Sequence, residues 1–264
     1  VTVSEPHPIP NSKTTTPRKT AAALAGGLDV LVCGLPMTVV GLLFCLLNGT
    51  LDLLNWLATP LGALVILWGA MRLARSGWGG MEFVRSALWC VGLAMTILAL
   101  SPFLFWWRQM PKNFYFTLNV LLFVAALTAL VFAVNRLCAQ VNHHISAPGG
   151  VNESKSVVWL IFVAWVLPLC VVTGFIVRAS VEYGEPMGWV LRKSLGDLNI
   201  GFSRWLVVGS ALAPIMFTCI ALIATRRRLL AWATQPPFTE NETDLSDNET
   251  HPQKNPLQTA KEQR

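Results

Sequence analysis

Asp29 sits at the edge of a long apolar run, in Ala25-Gly26-Gly27-Leu28-Asp29-Val30-Leu31-Val32-Cys33-Gly34-Leu35-Pro36. Three chemistries are open to it. It can cap a helix that starts at Val30, accepting backbone N–H bonds in the favourable field of the helix dipole. It can pair with an arginine on the same side, such as Arg72, Arg75, Arg85 or Arg136. Or it can carry a proton or cation, a common role for a carboxylate inside a membrane. Depth decides among them. If the apolar helix is centred near Pro36, Asp29 lies about 10 Å away along the axis. Half of a hydrocarbon core is about 15 Å, so the carboxylate is only about 5 Å inside the boundary. The expectation is an interfacial cap.

The other polar residues in apolar surroundings are mild. Asn55 and Asn119 are expected to hydrogen-bond between helices, at about 1 kcal/mol each. His143-His144 project roughly 100° apart on a helix, which is not the i,i+4 spacing of a zinc-binding helix, and only Glu153 lies nearby. The six cysteines (Cys33, Cys45, Cys90, Cys138, Cys170 and Cys219) form no C-x-x-C pair and read as small hydrophobes. Gly209-Ser210 has no histidine to activate it, and no H-E-x-x-H, Walker or dinucleotide motif occurs. The expectation is a protein that is not an enzyme, with no catalytic residues, no cofactor and no metal site.

The elements that carry these residues follow from composition. The 264 residues are 53% hydrophobic and 13% charged, against roughly 25% charged in ordinary soluble domains. Six apolar runs, at 30–47, 53–71, 86–107, 114–134, 157–177 and 205–225, contain no Asp, Glu, Lys, Arg or His. Each matches the roughly 20 residues that a helix needs to cross a bilayer. Transmembrane barrels show alternating segments of about 10 residues instead. The expected fold is therefore all-α: a polytopic integral membrane helix bundle with six transmembrane helices. Its domain spans 21–230, between a disordered N-tail (1–20) and a disordered, acidic C-tail (231–264). The first run follows twenty polar residues with no small-residue cleavage pattern, so a cleaved signal peptide is not expected.

Orientation comes from the basic residues. Lys13, Arg18, Lys19, Arg72, Arg75, Arg85, Arg136, Lys155, Arg226, Arg227 and Arg228 fall on one side of a six-span topology. Arg108, Lys112, Arg178, Arg192, Lys193 and Arg204 fall on the other. By the positive-inside rule both termini are cytoplasmic, and the expected location is a bacterial cytoplasmic (inner) membrane. The formal charge of +6 is juxtamembrane. It points to anionic lipid headgroups as a partner, not to nucleic acid.

Five of the six runs hold a proline: Pro36, Pro60, Pro102, Pro168 and Pro214. Each is a candidate kink, because proline removes one helical hydrogen bond and crowds the preceding turn. Gly26-Gly27, Gly34 and Gly41 permit close helix approach. The connection 178–204 carries Met187, Val190, Leu191, Leu195 and Leu198 at helical spacing, a pattern expected of a short interfacial helix. Two functions fit. The favoured one is a non-catalytic accessory, assembly or scaffold subunit that binds other membrane subunits through helices and tails. The alternative is a small secondary transporter or channel subunit, with proline-kinked helices and Asp29 near the translocation path.

Overall fold

The computed structural model describes residues 16–47, 53–78, 80–145, 162–198 and 202–234. Both expected tails, apart from residues 16–20 and 231–234, lie outside the described residues, as does the start of the fifth apolar run. Among the described residues there are seven α-helices: α1 (Thr16–Leu47), α2 (Leu53–Arg75), α3 (Gly80–Gln109), α4 (Phe114–Ile145), α5 (Leu167–Tyr183), α6 (Met187–Leu198) and α7 (Phe202–Thr234). A π-helical turn, Phe162–Val166, leads directly into α5. The described residues contain no strand. Among the described residues five stretches, Lys19–Leu47, Leu57–Arg75, Gly80–Gln109, Phe114–Ile145 and Val208–Thr234, are long and apolar enough to cross a membrane.

Most helices extend beyond their apolar runs, and two do so into the expected tails. α1 begins at Thr16, so residues 16–20 are helical rather than tail, and α7 continues to Thr234. The segment Ala21-Ala22-Ala23-Leu24-Ala25 is made of residues that favour a helix. Hydropathy marks where a helix meets lipid, not where its hydrogen bonding begins.

The short connections are set by local chemistry. After α2, Ser76 Oγ donates to Leu73 O at 2.7 Å, and Gly77 takes a positive φ of 68°. That geometry ends a helix and costs a residue with a Cβ more than it costs glycine. Between α3 and α4, Asn113 Oδ1 accepts the Tyr115 N–H at 2.9 Å and so caps α4.

α1 and α2 pack antiparallel along a glycine seam. Gly27, Gly34 and Gly41 recur every seven residues on α1 and face Gly69, Ile66 and Thr59 of α2. A Cβ on Gly41 would lie 2.6 Å from the Thr59 nitrogen, and one on Gly62 2.6 Å from the Thr38 nitrogen. The two backbones therefore touch, and dispersion over that length holds the hairpin where lipid supplies no hydrophobic drive. α3 packs on both α2 and α4. Leu24, Leu28, Leu31, Leu35, Ile66, Ile97, Phe123, Leu127 and Leu130 are fully buried among these helices.

Helix directions follow from paired contacts. Asp29 and Val32 of α1 meet Arg226 and Cys219 of α7, so those helices are antiparallel. Asn135 and Asn142 of α4 meet Thr218 and Thr225, so α4 and α7 are parallel. The near end of the bundle carries Asp29, the α2–α3 turn and the C-terminal turns of α4 and α7. The far end carries the α3–α4 turn, onto which α6 is docked. Large apolar side chains such as Trp68, Leu88, Trp89, Phe175 and Ile220 remain exposed on the outer faces. By composition the chain is a multi-pass, membrane-like helical protein.

Candidate functional site

Asp29 is not a helix cap. α1 runs unbroken through it from Thr16, so the nearby backbone N–H groups are already bonded within the helix. Its Oδ1 instead lies 2.7 Å from Nε of Arg226. Arg226 belongs to the same side as the four arginines given as examples from sequence, though it is not among them. The two side chains keep 49% and 39% of their surface, so the pair is half-buried. No hydrogen bond satisfies Arg226 Nε despite the short distance, so the attraction is Coulombic without good N–H alignment. Asp29 immediately precedes the first apolar run and Arg226 immediately follows the last, so both charges stand at one level along the bundle.

The remaining arginines of this end have other positions. Arg72 lies over the Trp68 ring at 5.7 Å, and its Nη1 passes 3.4 Å from where a Gly26 Cβ would stand. Arg75 is the last residue of α2, and Arg85 lies in the second turn of α3. Arg227 and Arg228 are exposed beside Arg226. All six orienting arginines therefore share the near end. Trp78, in the α2–α3 turn, meets Trp232 of α7 edge-on at 5.2 Å and fixes the same end.

Deeper in the bundle a polar ladder joins α4 to α7. Asn135 Nδ2 donates to Thr218 Oγ1 at 2.9 Å and to Val131 O at 2.8 Å. Two turns later Asn142 Nδ2 donates to Thr225 Oγ1 at 3.1 Å. The sequence reading gave the interhelical role to Asn55 and Asn119. Asn119 Nδ2 donates to Tyr115 O of its own helix at 2.8 Å, a bond that a carbonyl one turn back makes available, whereas Asn135 makes the same back-bond and also reaches Thr218. The side chain of Asn55 lies outside those described. A usable signal for the true ladder was present, since Asn135/Asn142 and Thr218/Thr225 share a seven-residue spacing.

Pro36, Pro60, Pro102 and Pro214 lie within continuous helices. A proline leaves the carbonyl four residues earlier without its helical donor. Val32 O, orphaned by Pro36, accepts from Cys219 Sγ at 3.8 Å. Leu98 O, orphaned by Pro102, accepts from Ser101 Oγ at 2.8 Å. Pro168 differs. It stands in the first turn of α5, directly after the π-helical turn.

His143 and His144 have ring centroids 6.3 Å apart, and His144 Nδ1 contacts Gln140 O at 3.2 Å. Among the described residues no three His, Cys, Asp or Glu side chains converge on a metal-sized site. The near end thus offers one ion pair, flanking arginines and an aromatic clasp, an arrangement that can lock helices at a membrane surface. No protein-family model, curated protein or solved structure matches this chain.

Proposed function

We propose that this protein is a non-catalytic, six-span membrane subunit of the accessory or scaffold type, with both termini in the cytoplasm. The observation that carries the reading is the Asp29–Arg226 pair. The carboxylate best placed for transport chemistry is engaged in tying the first apolar run to the last. Several polar groups within the helices are also engaged: Asn135 and Asn142 bond across to α7 through their amide nitrogens, while Thr38 and Thr128 bond back to carbonyls of their own helices. Six passes are supported by direction. α4 ends at the near end, whereas α7, parallel to it, must start at the far end, so the intervening chain through α5 makes one crossing. In this reading the bundle acts by binding other membrane subunits through its exposed apolar faces and by resting its arginines on anionic headgroups.

A secondary transporter is the second reading, favoured by the π-helical turn abutting Pro168, since such turns interrupt helices at many functional sites. One experiment separates the two. The Asp29→Asn variant is compared with the native chain for unfolding and for proton flux in liposomes under a pH gradient. The scaffold reading expects lower stability, partly restored by Arg226→Gln, and no Asp29-dependent flux. An intact fold with lost flux would make the protein a transporter. Sidedness is tested in a cysteine-free background, where Arg75→Cys should label from the cytoplasm and Lys193→Cys from outside. The reverse pattern, or both on one side, rejects the topology.

A further inference from the structure

We propose that the far end of the bundle holds the phosphodiester of an anionic glycerophospholipid between Arg108, Lys112 and Arg192. The docking of α6 on the α3–α4 turn sets Arg192 against Arg108 and Trp189 against Lys112. Gly188 of α6 sits where a Cβ would strike Thr117 Oγ1 and Pro111 O, so only glycine allows so close an approach. Leu191 and Leu195 pack against the core from the same helix. Docked this way, Arg192 Nη1 donates to Arg108 O at 2.9 Å, and Lys112 Nζ stands 5.5 Å from the centroid of the Trp189 ring. Arg108 Nη1 donates to Cys45 O at 3.0 Å, in the last turn of α1, where the helix dipole favours a cation.

Each guanidinium is thus anchored through one nitrogen to a backbone carbonyl, which leaves its other N–H groups to a ligand. Among the described residues no carboxylate lies within ion-pair distance of Arg108, Lys112 or Arg192; the ion pairs present are Arg178–Glu182 and Arg226–Asp29. Such a set of three cations suits an anion with several acceptor oxygens. The surroundings favour a lipid as its source. Phe103, Trp106, Tyr115 and Phe116 form a ring cluster at the same level, with centroids 5.6–6.4 Å apart. Trp106 and Tyr115 are exposed, as in the aromatic belts found at headgroup depth.

The test uses the full chain in phosphatidylcholine bilayers containing trace spin-labelled phosphatidylglycerol or spin-labelled phosphatidylcholine. The measurement is the relative association constant of the two labels. The native chain should prefer phosphatidylglycerol, and Lys112→Gln with Arg192→Gln should weaken that preference on the order of fivefold per charge removed. The Lys112→Arg and Arg192→Lys substitutions together should retain it. If Arg192→Gln undocks α6, Lys112→Gln alone decides, because Lys112 is an exposed turn residue. A preference unchanged in these variants would place the attraction at the near-end arginines and overturn the proposal. Loss of the preference on adding inorganic phosphate, at matched ionic strength, would make this a free-anion site and overturn the lipid assignment.

Discussion

Asn135 and Thr218 are 83 residues apart in sequence, and their side chains meet at 2.9 Å inside the bundle. Asn142 and Thr225, also 83 apart, repeat the contact two turns further on. α4 and α7 are therefore held in a single parallel register. Thr218→Val keeps the volume and removes the acceptor, so it should destabilise the bundle by about 1 kcal/mol. In an Asn135→Leu background the same change should cost much less. A double-mutant cycle on detergent unfolding reads this directly, and zero coupling would mean that the bond does not hold the helices together.

The α1–α2 seam makes an opposite prediction for glycines of one chemical type. Gly62→Ala forces a Cβ to within 2.6 Å of the Thr38 backbone, which only separation of the helices relieves. A loss of about 1–3 kcal/mol is expected, as for other overpacked sites. Gly92→Ala meets nothing within 4 Å, and should be neutral or gain up to about 1 kcal/mol from helix propensity. Thermal unfolding of the two variants side by side checks the contrast.

For the Asp29–Arg226 pair, Asp29→Asn should cost up to about 1 kcal/mol, since both side chains keep much of their surface and solvent screens them. Exchanging the charges, Asp29→Arg with Arg226→Asp, should recover more stability than either reversal alone. Raising the salt concentration should narrow the gap between native chain and Asp29→Asn. A gap independent of salt would mean that Asp29 acts through packing.

Proline and its satisfied carbonyl give a fourth test. Ser101→Ala leaves Leu98 O without the Ser101 hydroxyl, a loss of about 1 kcal/mol. In a Pro102→Ala background the backbone N–H returns to that carbonyl, and Ser101→Ala should then be nearly silent. Equal costs in both backgrounds would show that the hydroxyl serves another group.

The sequence by itself determined the all-helical, membrane-like character. Apolar length and scarce charge are additive along the chain and need no knowledge of neighbours. It also put Arg72, Arg75, Arg85 and Arg226–Arg228 at a common level, because each borders an apolar run. Only the tertiary structure decided what those residues touch. Asp29 reads as a cap when hydropathy is taken for helix start, but helical hydrogen bonding extends back to Thr16, and the carboxylate is left to find a side-chain partner. That the partner is Arg226 depends on how α7 is rotated and shifted against α1. The same rotation brings Cys219 to the carbonyl freed by Pro36, and Thr218 to Asn135. Register between distant helices is set by interdigitating side chains over whole faces, a cooperative property that no local stretch encodes.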